Sequence, residues 1–146
     1  VFAAQIPCGA TKEVQMTSQK RVLLVEDDKS VLESTKRLLV LMGHQVDTAT
    51  NYIDGQALLN KNTYALIISD NRMPIGQEAQ LHATAGIELL AYAWWQEKHK
   101  GVPLVLYTGD DSDKLKTDLA EFGAHYLQKP SSEFVDIIRK LMEERP

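Results

Sequence analysis

The stretch VLLVEDD, residues Val22–Asp28, decides the fold. It begins with four consecutive apolar residues with β-branched valines at both ends, which is typical of a parallel strand buried on both faces. Three carboxylates, those of Glu26, Asp27 and Asp28, follow the run directly. Since ligands bind outside the carboxyl ends of strands in open α/β sheets, the stretch predicts a buried strand with a candidate site at its end.

Short apolar runs alternate with helical patterns over residues 21–144, which favours a series of βαβ units. Besides residues 22–25, the predicted strands are residues 45–48, 65–68, 104–107 and 124–127. Apolar residues recur at helical spacing in five segments that follow these strands. The alternation predicts an α/β fold, a flavodoxin-like three-layer α/β/α sandwich with five helices and a five-stranded parallel sheet of order 2-1-3-4-5.

Composition and charge exclude several classes of function. The 146 residues are 44% hydrophobic and 25% charged, as in an ordinary soluble domain. No apolar run approaches the roughly 20 residues that cross a bilayer, so we expect no membrane contact by this domain. The net charge of −4 argues against nucleic-acid binding by it. The single Cys8 cannot form an internal disulfide, which suits a cytoplasmic location.

Polar groups follow each of four predicted strands. Residues 26–28 follow strand one, Asp70 follows strand three, Thr108 follows strand four, and Lys129 follows strand five. All of them are therefore predicted at the same edge of the sheet. In the order 2-1-3-4-5, strands one and three flank the switch point, so Asp27 and Asp70 face each other across it.

This set of groups suits phosphoryl transfer to a carboxylate. Carboxylates drawn together repel unless a cation relieves them, and oxygen ligands of this kind suit Mg²⁺. A carboxylate serves as the nucleophile, a lysine supplies a mobile positive charge, and a hydroxyl supplies a hydrogen bond. Taken singly, each group has an ordinary alternative, such as a solvated turn, a helix cap or a loop. The conjunction of all four favours the chemical interpretation.

At these positions the sequence is similar to the response-regulator receiver family. The motifs that carry the resemblance are VLLVEDD (22–28), SDNRMP (69–74), GIELL (86–90), YTG (107–109) and FGAHYLQKP (122–130). The resemblance implies a signalling switch that takes a phosphoryl group from a histidine of a sensor kinase or a phosphotransfer domain, with Mg²⁺. It implies slow self-dephosphorylation, not classical enzyme turnover. The downstream protein partner stays unidentified.

The resemblance also implies individual roles around the metal. Asp70 corresponds to the phosphoacceptor and Asp27 to a direct Mg²⁺ ligand. Glu26 corresponds to a ligand that acts mainly through water, and the backbone carbonyl of Arg72 completes the metal site.

Further roles follow for the last two strands. Thr108 and Lys129 correspond to the residues that hold the phosphoryl oxygens, and the Lys129–Pro130 peptide is expected to be cis, as is typical of the family. Tyr126 corresponds to the switch aromatic that turns inward as the threonine moves. The alternative for Tyr126 is an ordinary edge-strand aromatic.

The connection after strand three departs from the family's usual spacing. Pro74 and Gly86 are twelve positions apart, and residues 74–85 form a loop well above the two to six residues common in such connections. This insertion is either functional or a tolerated surface segment. It contains His82, which we interpret as solvated and not as a ligand or phosphodonor.

Two charged residues flank the predicted acceptor site. Arg72 lies two positions after Asp70, and Asp110 lies two positions after Thr108. We hypothesise that Arg72 and Asp110 pair across the mouth of the site and shield the acyl phosphate from water. A plain surface ion pair is the alternative.

The N-terminal residues suggest a larger parent protein. Residues 1–7 alternate like a strand and resemble the closing strand of the ATP-binding domain of histidine kinases, and residues 8–19 are small and polar, as in a linker. We therefore divide the chain into a tail and linker, 1–19, and a receiver domain, 20–146. The parent is expected to be a hybrid histidine kinase, which could be anchored in a membrane.

Two other functions compete with the phosphoryl-accepting switch. A receiver fold used only for docking, without phosphorylation, is disfavoured by the complete acidic pocket with Thr108 and Lys129. A phosphohydrolase acting through an aspartyl phosphate usually needs a second aspartate two residues after the nucleophile, where this chain has Arg72.

Overall fold

The structure is a computed structural model that describes residues 20–143. The predicted tail and linker, residues 1–19, lie outside the described residues, as do residues 144–146. Among the helices within 20–143, none combines the length and apolarity needed to span a bilayer.

A five-stranded parallel sheet forms the centre of the domain. Its order is β2-β1-β3-β4-β5, and every neighbouring pair is parallel, which confirms the prediction. The strands are β1 (Arg21–Val25), β2 (Gln45–Ala49), β3 (Leu66–Ser69), β4 (Leu104–Thr108) and β5 (His125–Gln128). The register pairs Val25 with Ser69, so the residues after β1 and β3 emerge at the same level of the sheet.

Helices cover both faces of the sheet. They are α1 (Lys29–Leu41), α2 (Tyr52–Lys61), α3 (Ala85–Trp95), α4 (Asp113–Ala120) and α5 (Phe134–Glu143), with a short 3₁₀ helix at Glu97–His99. One core cluster joins α1 and α5 to the sheet, and a second joins α2, α3 and α4 to its other face. The three predicted layers are therefore present.

The apolar runs explain which strands lie in the centre. The side chains of β1 alternate between the two cores, with Leu23 and Val25 in one and Val22 and Leu24 in the other. Each is at most 2% exposed, and burial of such a side chain stabilises the fold by roughly 1.5–3 kcal/mol. The strands β2 and β5 are only partly buried, in line with their places at the edges of the sheet.

Both tryptophans at the end of α3 are exposed. The helical spacing of Ile87, Leu90, Ala91 and Trp94 predicts Trp94 on the buried stripe, but it is 44% exposed, and Trp95 is 78% exposed. Leu89, Leu90 and Ala93 cover the sheet instead. Because each residue turns the helix by about 100°, Trp94 lies beside that stripe, where its ring contacts that of Phe122 at 6.0 Å and that of Trp95 at 5.0 Å between centroids.

A buried histidine connects the 3₁₀ helix to the segment before β3. His99 is 2% exposed, and its Nε2 accepts a hydrogen bond from the backbone amide of Tyr64 at 3.1 Å. Its Nδ1 lies 2.8 Å from Oε1 of Gln96, so the neutral ring with a proton on Nδ1 satisfies both contacts. Burial, assisted by the charge of Lys98, lowers the pKa of His99 to about 4.

Candidate functional site

The residues that follow β1, β3, β4 and β5 meet in one cleft. The register that aligns the strand ends brings them together, and the cleft has a volume of about 320 Å³. Its lining consists of Glu26, Asp27, Asp28, Asp70, Arg72, Leu81, Thr108, Gly109, Asp110 and Lys129. All the site side chains predicted from the sequence except Tyr126 line this cleft.

Three carboxylates form the acidic part of the cleft. One oxygen each from Glu26, Asp27 and Asp70 lies within 4.8 Å of the others. The Asp70 backbone amide donates to the carbonyl of Val25 at 2.9 Å, and this bond fixes the start of the connection after β3. The Asp70 carboxylate accepts a further hydrogen bond from the amide of Asn71 at 2.7 Å. Such a group of oxygens is suited to a hard divalent cation.

Lys129 brings a positive charge to these acids. Its Nζ lies 2.7 Å from Oε1 of Glu26 and 3.4 Å from Oδ2 of Asp70. Its backbone amide donates to the carbonyl of Thr108 at 2.8 Å, which ties the end of β5 to the end of β4. The peptide bond between Lys129 and Pro130 is cis, as the resemblance to the receiver family implies.

The acids are incompletely neutralised by this lysine. Burial raises the pKa of Glu26 to about 7, the nearby Asp70 adds to the rise, and the contact with Lys129 opposes it. Burial and the charge of Asp70 likewise raise the pKa of Asp27. For Lys129, burial works against the charged form, but the carboxylates of Glu26 and Asp70 outweigh it and raise its pKa. The cluster therefore holds excess negative charge that a cation would relieve.

Thr108 and Tyr126 are joined through the loop after β4. The Asp110 amide donates to Oγ1 of Thr108 at 3.2 Å, so the Thr108 hydroxyl proton is free for a second partner. The Tyr126 hydroxyl donates to the carbonyl of Asp110, and Lys116 stands 5.0 Å above the Tyr126 ring. Tyr126 thus lies outside the cleft but contacts Asp110, whose amide donates to the Thr108 hydroxyl.

Gly86 permits the close approach of α3 to Asp70. A Cβ added at Gly86 would lie 1.9 Å from the carbonyl oxygen of Asp70 and 2.7 Å from Cα of Asn71. The Gly86 amide donates to the Asn71 carbonyl at 2.9 Å, and the Ile87 amide donates to its side-chain oxygen at 3.3 Å. Both Gly86 and Asn71 lie within motifs quoted from the sequence, but no role was predicted for Asn71, because its contacts with Gly86 and Ile87 join segments far apart in the chain.

The predicted ion pair across the mouth of the site is not formed. Among residues 20–143, no ion pair within 4.0 Å joins Arg72 to Asp110. Both residues line the cleft. The backbone of Asp110 is held by Thr108 and Tyr126, and these contacts keep its loop in place independently of Arg72.

The long connection after β3 folds back on itself. Met73 and His82 form an antiparallel bridge, with backbone N–H···O distances of 3.0 and 3.4 Å. The side chain of His82 is 44% exposed, and its Nε2 lies 3.7 Å from Oε2 of Glu78. His82 does not line the acidic cleft, in agreement with its interpretation as a solvated residue.

Comparison with known proteins assigns the family. Residues 22–141 match the family model described as the response regulator receiver domain. The chain belongs to the response regulator receiver family. The match extends from β1 into α5 and includes every strand end that contributes to the cleft. The domain is accordingly a phosphoryl-accepting signalling switch of two-component systems.

The curated relatives of this receiver include regulators and kinases. The probable transcriptional regulator ycf29 of Porphyra purpurea is 31% identical over 124 residues, 83% of this chain and 56% of that protein. The autoinducer 2 sensor kinase/phosphatase LuxQ of Vibrio harveyi is 30% identical over 132 residues, 86% of this chain and 14% of that protein. Histidine kinase 5 of Arabidopsis thaliana is 35% identical over 66 residues, 45% of this chain and 7% of that protein. The chain thus spans little more than half the length of ycf29 and far less of the kinases.

Solved structures share the fold. The CheY-like receiver domain protein of Methanospirillum hungatei JF-1 superposes with a TM-score of 0.74 at 27% identity, over 87% of this chain and 96% of that one. The receiver domain of the sensor histidine kinase PA1611 of Pseudomonas aeruginosa PAO1 superposes with a TM-score of 0.68 at 21% identity, over 86% and 96%. The structure of PA1611 is described with a magnesium ion coordinated in the active site cleft.

Proposed function

We propose that Asp70 is the residue on which this receiver accepts its phosphoryl group, and that a histidine of a sensor kinase or phosphotransfer domain is the donor. One observation carries the assignment. The Asp70 carboxylate lies in the same cleft as two further acids, with the Lys129 ammonium 3.4 Å from its Oδ2 and the Thr108 hydroxyl on the same lining. Nucleophile, charge and hydrogen-bond donor are therefore within reach of one bound phosphoryl group.

The donor set of the cleft fits Mg²⁺. Carboxylate oxygens from Asp27 and Asp70 would hold the ion directly, Glu26 would act mainly through water, and the backbone carbonyl of Arg72 would complete the set. The raised pKa values of Glu26 and Asp27 fit a site whose charged carboxylates are stabilised when a cation binds. When bound, Mg²⁺ supplies charge neutralisation to the phosphoryl oxygens.

The protein's own groups perform the transfer. A carboxylate oxygen of Asp70 attacks phosphorus as the bond from phosphorus to the donor imidazole nitrogen breaks, and that nitrogen keeps the electron pair. The Lys129 ammonium, which in the resting site contacts Glu26 and Asp70, moves to meet a phosphoryl oxygen. Thr108 donates its free hydroxyl proton to another phosphoryl oxygen.

Phosphorylation changes the surface through the loop after β4. Movement of the Thr108 hydroxyl toward the phosphoryl group weakens its contact with the Asp110 amide. Because Tyr126 bonds the Asp110 carbonyl, the change reaches β5 and the neighbouring face of α4. A bias of a few kcal/mol between two such arrangements is enough to change partner affinity substantially.

The relatives support a kinase context for the full-length protein. LuxQ and Histidine kinase 5 are named as kinases, and PA1611 is a sensor histidine kinase with a receiver of the same fold. We propose that this receiver also belongs to a hybrid histidine kinase and that its partner is a histidine kinase or a phosphotransfer domain.

Incubation with Mg²⁺ and phosphoramidate tests the assignment of Asp70. Intact mass spectrometry is expected to show one added phosphoryl group on the wild type and none on Asp70→Asn. Asp28→Asn is the matched control, because Asp28 lines the same cleft but caps α1, and asparagine is an equally good cap. An unmodified wild type would contradict the proposal and favour a docking module, and a modified Asp70→Asn would identify another acceptor.

A further inference from the structure

The connection between β3 and α3 has a defined conformation beside the cleft. The Glu78 carboxylate accepts hydrogen bonds from the amides of Ile75 at 3.1 Å and Gly76 at 2.8 Å. Together with the bridge between Met73 and His82, these bonds close the segment into a compact turn. An insertion that makes its own internal hydrogen bonds holds its side chains in fixed places.

The same turn is anchored to α2. The amide of Tyr52 donates to the carbonyl of Pro74 at 3.0 Å. The amide of Ile53 donates to the carbonyl of Ile75 at 2.8 Å. These two amides belong to the first turn of α2 and have no partner within the helix. The loop carbonyls satisfy them, so the inserted turn is fixed to the body of the domain.

This anchored turn places Leu81 at the rim of the acidic cleft. Leu81 lines the acidic cleft together with Arg72 and Asp110, and it also lines an adjoining cavity of about 290 Å³ beneath the inserted turn. It is 47% exposed, and it is the one large aliphatic side chain among the cleft residues of the described chain. An apolar group beside a charged site removes water from that site.

We propose that Leu81 is a water-excluding residue that lengthens the lifetime of the phosphorylated receiver. The inference rests on the proposed acceptor role of Asp70. Arg72 and Asp110, which also stand at the mouth, form no ion pair with each other there. Leu81 thus lies at the mouth of the cleft, where the sequence predicted that a pair of Arg72 and Asp110 would shield the acyl phosphate from water.

The reaction that Leu81 opposes is hydrolysis of the aspartyl phosphate. The oxygen of a water molecule bonds to phosphorus while the bond between phosphorus and the Asp70 oxygen breaks. The carboxylate keeps the electron pair, and both protons of the water leave with the inorganic phosphate. The attacking oxygen must stand opposite the Asp70 oxygen, on the side of the open mouth, because Asp70 lies at the floor with its side chain only 11% exposed. Leu81 narrows that mouth, so fewer water positions allow attack.

The lifetime of phosphorylated protein tests this role. Wild type, Leu81→Ala and Leu81→Met are loaded with phosphoramidate and Mg²⁺, freed of donor, and followed by intact mass. We expect Leu81→Ala to lose phosphate about three- to tenfold faster than wild type. The range is modest because the truncation of one small side chain lowers the activation free energy of hydrolysis only slightly. Leu81→Met keeps the apolar volume and is expected to retain the wild-type lifetime.

Two controls separate water exclusion from other effects. Leu41→Ala shortens an exposed leucine at the far end of α1, 77% exposed, and is expected to leave the lifetime unchanged. Mg²⁺ affinity, measured by thermal shift, is expected to be equal in wild type and Leu81→Ala. Equal lifetimes of wild type and Leu81→Ala would overturn the inference. A shorter lifetime of Leu81→Ala that is accompanied by a loss of its Mg²⁺ affinity would overturn it as well. Failure of the wild type to take up phosphate would instead refute the acceptor role of Asp70.

Discussion

Replacement of Gly86 by alanine is expected to displace Asp70, because the added methyl group would meet the Asp70 backbone. The new Cβ would lie 1.9 Å from the Asp70 carbonyl oxygen and 2.8 Å from its carbonyl carbon. An ordinary contact needs 3.4 Å or more, so α3 and the segment after β3 must separate by about 1.5 Å. No rotamer change relieves this contact, because both partners are backbone atoms.

The cost follows from two opposing effects. Overpacking in a rigid site typically costs 1–3 kcal/mol, and a contact between backbone atoms belongs at the upper end, about 3 kcal/mol. Alanine is favoured over glycine in a helix by about 1 kcal/mol, and Gly86 lies in the first turn of α3. We therefore expect Gly86→Ala to lower the free energy of unfolding by about 2 kcal/mol.

Urea unfolding measures this difference against a matched control. Gly109 lines the same cleft, yet an added Cβ there would meet nothing within 4 Å. Gly109→Ala is expected to change the free energy of unfolding by less than about 1 kcal/mol. Phosphoramidate loading of Gly86→Ala is expected to slow as well, since the shift displaces Asp70. Equal stability and equal loading of Gly86→Ala and the wild type would refute the argument from close approach.

Two other properties follow from the buried charges and the buried imidazole. The pKa of His99 is about 4 in the folded protein against 6.5 in the unfolded chain, so only the unfolded chain gains a proton between these values. Over the same range the raised pKa of Glu26 has the opposite effect, because the folded protein binds that proton first. His99→Gln keeps an acceptor for the Tyr64 amide without titrating, so the contribution of His99 is the difference between wild type and this variant. Lowering the pH from 8 to 5 is therefore expected to cost the wild type about 2 kcal/mol relative to His99→Gln in urea titrations, and an equal pH dependence of the two proteins would contradict the assignment. Mg²⁺ at ten times its Kd is expected to stabilise the wild type by about 1.4 kcal/mol in thermal unfolding. Asp27→Asn is expected to lose most of this gain, and full retention would remove Asp27 from the ligand set.

The sheet and the strand-end residues were predictable because each depends on a short stretch of sequence. Four consecutive apolar residues with β-branched ends before Glu26 are typical of a central strand, and the side chains of Val22–Val25 are in fact at most 2% exposed. Parallel strands place their carboxyl ends at one edge, so the order of the strands was enough to place Asp70 near Asp27.

Other features escaped prediction because they depend on backbone paths that no short stretch encodes. Arg72 and Asp110 have suitable charges and spacing, but the contacts of Asp110 with Thr108 and Tyr126 fix its loop without an ion pair. The course of residues 74–84 is set by hydrogen bonds to α2 and within the turn. The sequence identified this insertion without indicating that Leu81 borders the acidic cleft.

By itself, the sequence determined the kind of chemistry and the side of the sheet on which it is found. Residue types determine which groups can carry charge or act as nucleophiles, and hydrophobic periodicity places those residues at strand ends. Only the tertiary structure decided that Lys129 contacts both Glu26 and Asp70. It also decided that a Cβ at position 86 would collide with the backbone of Asp70, and that Leu81 lies at the rim of the acidic cleft. These features are distances between segments far apart in the chain, and such distances are set by packing of the whole domain.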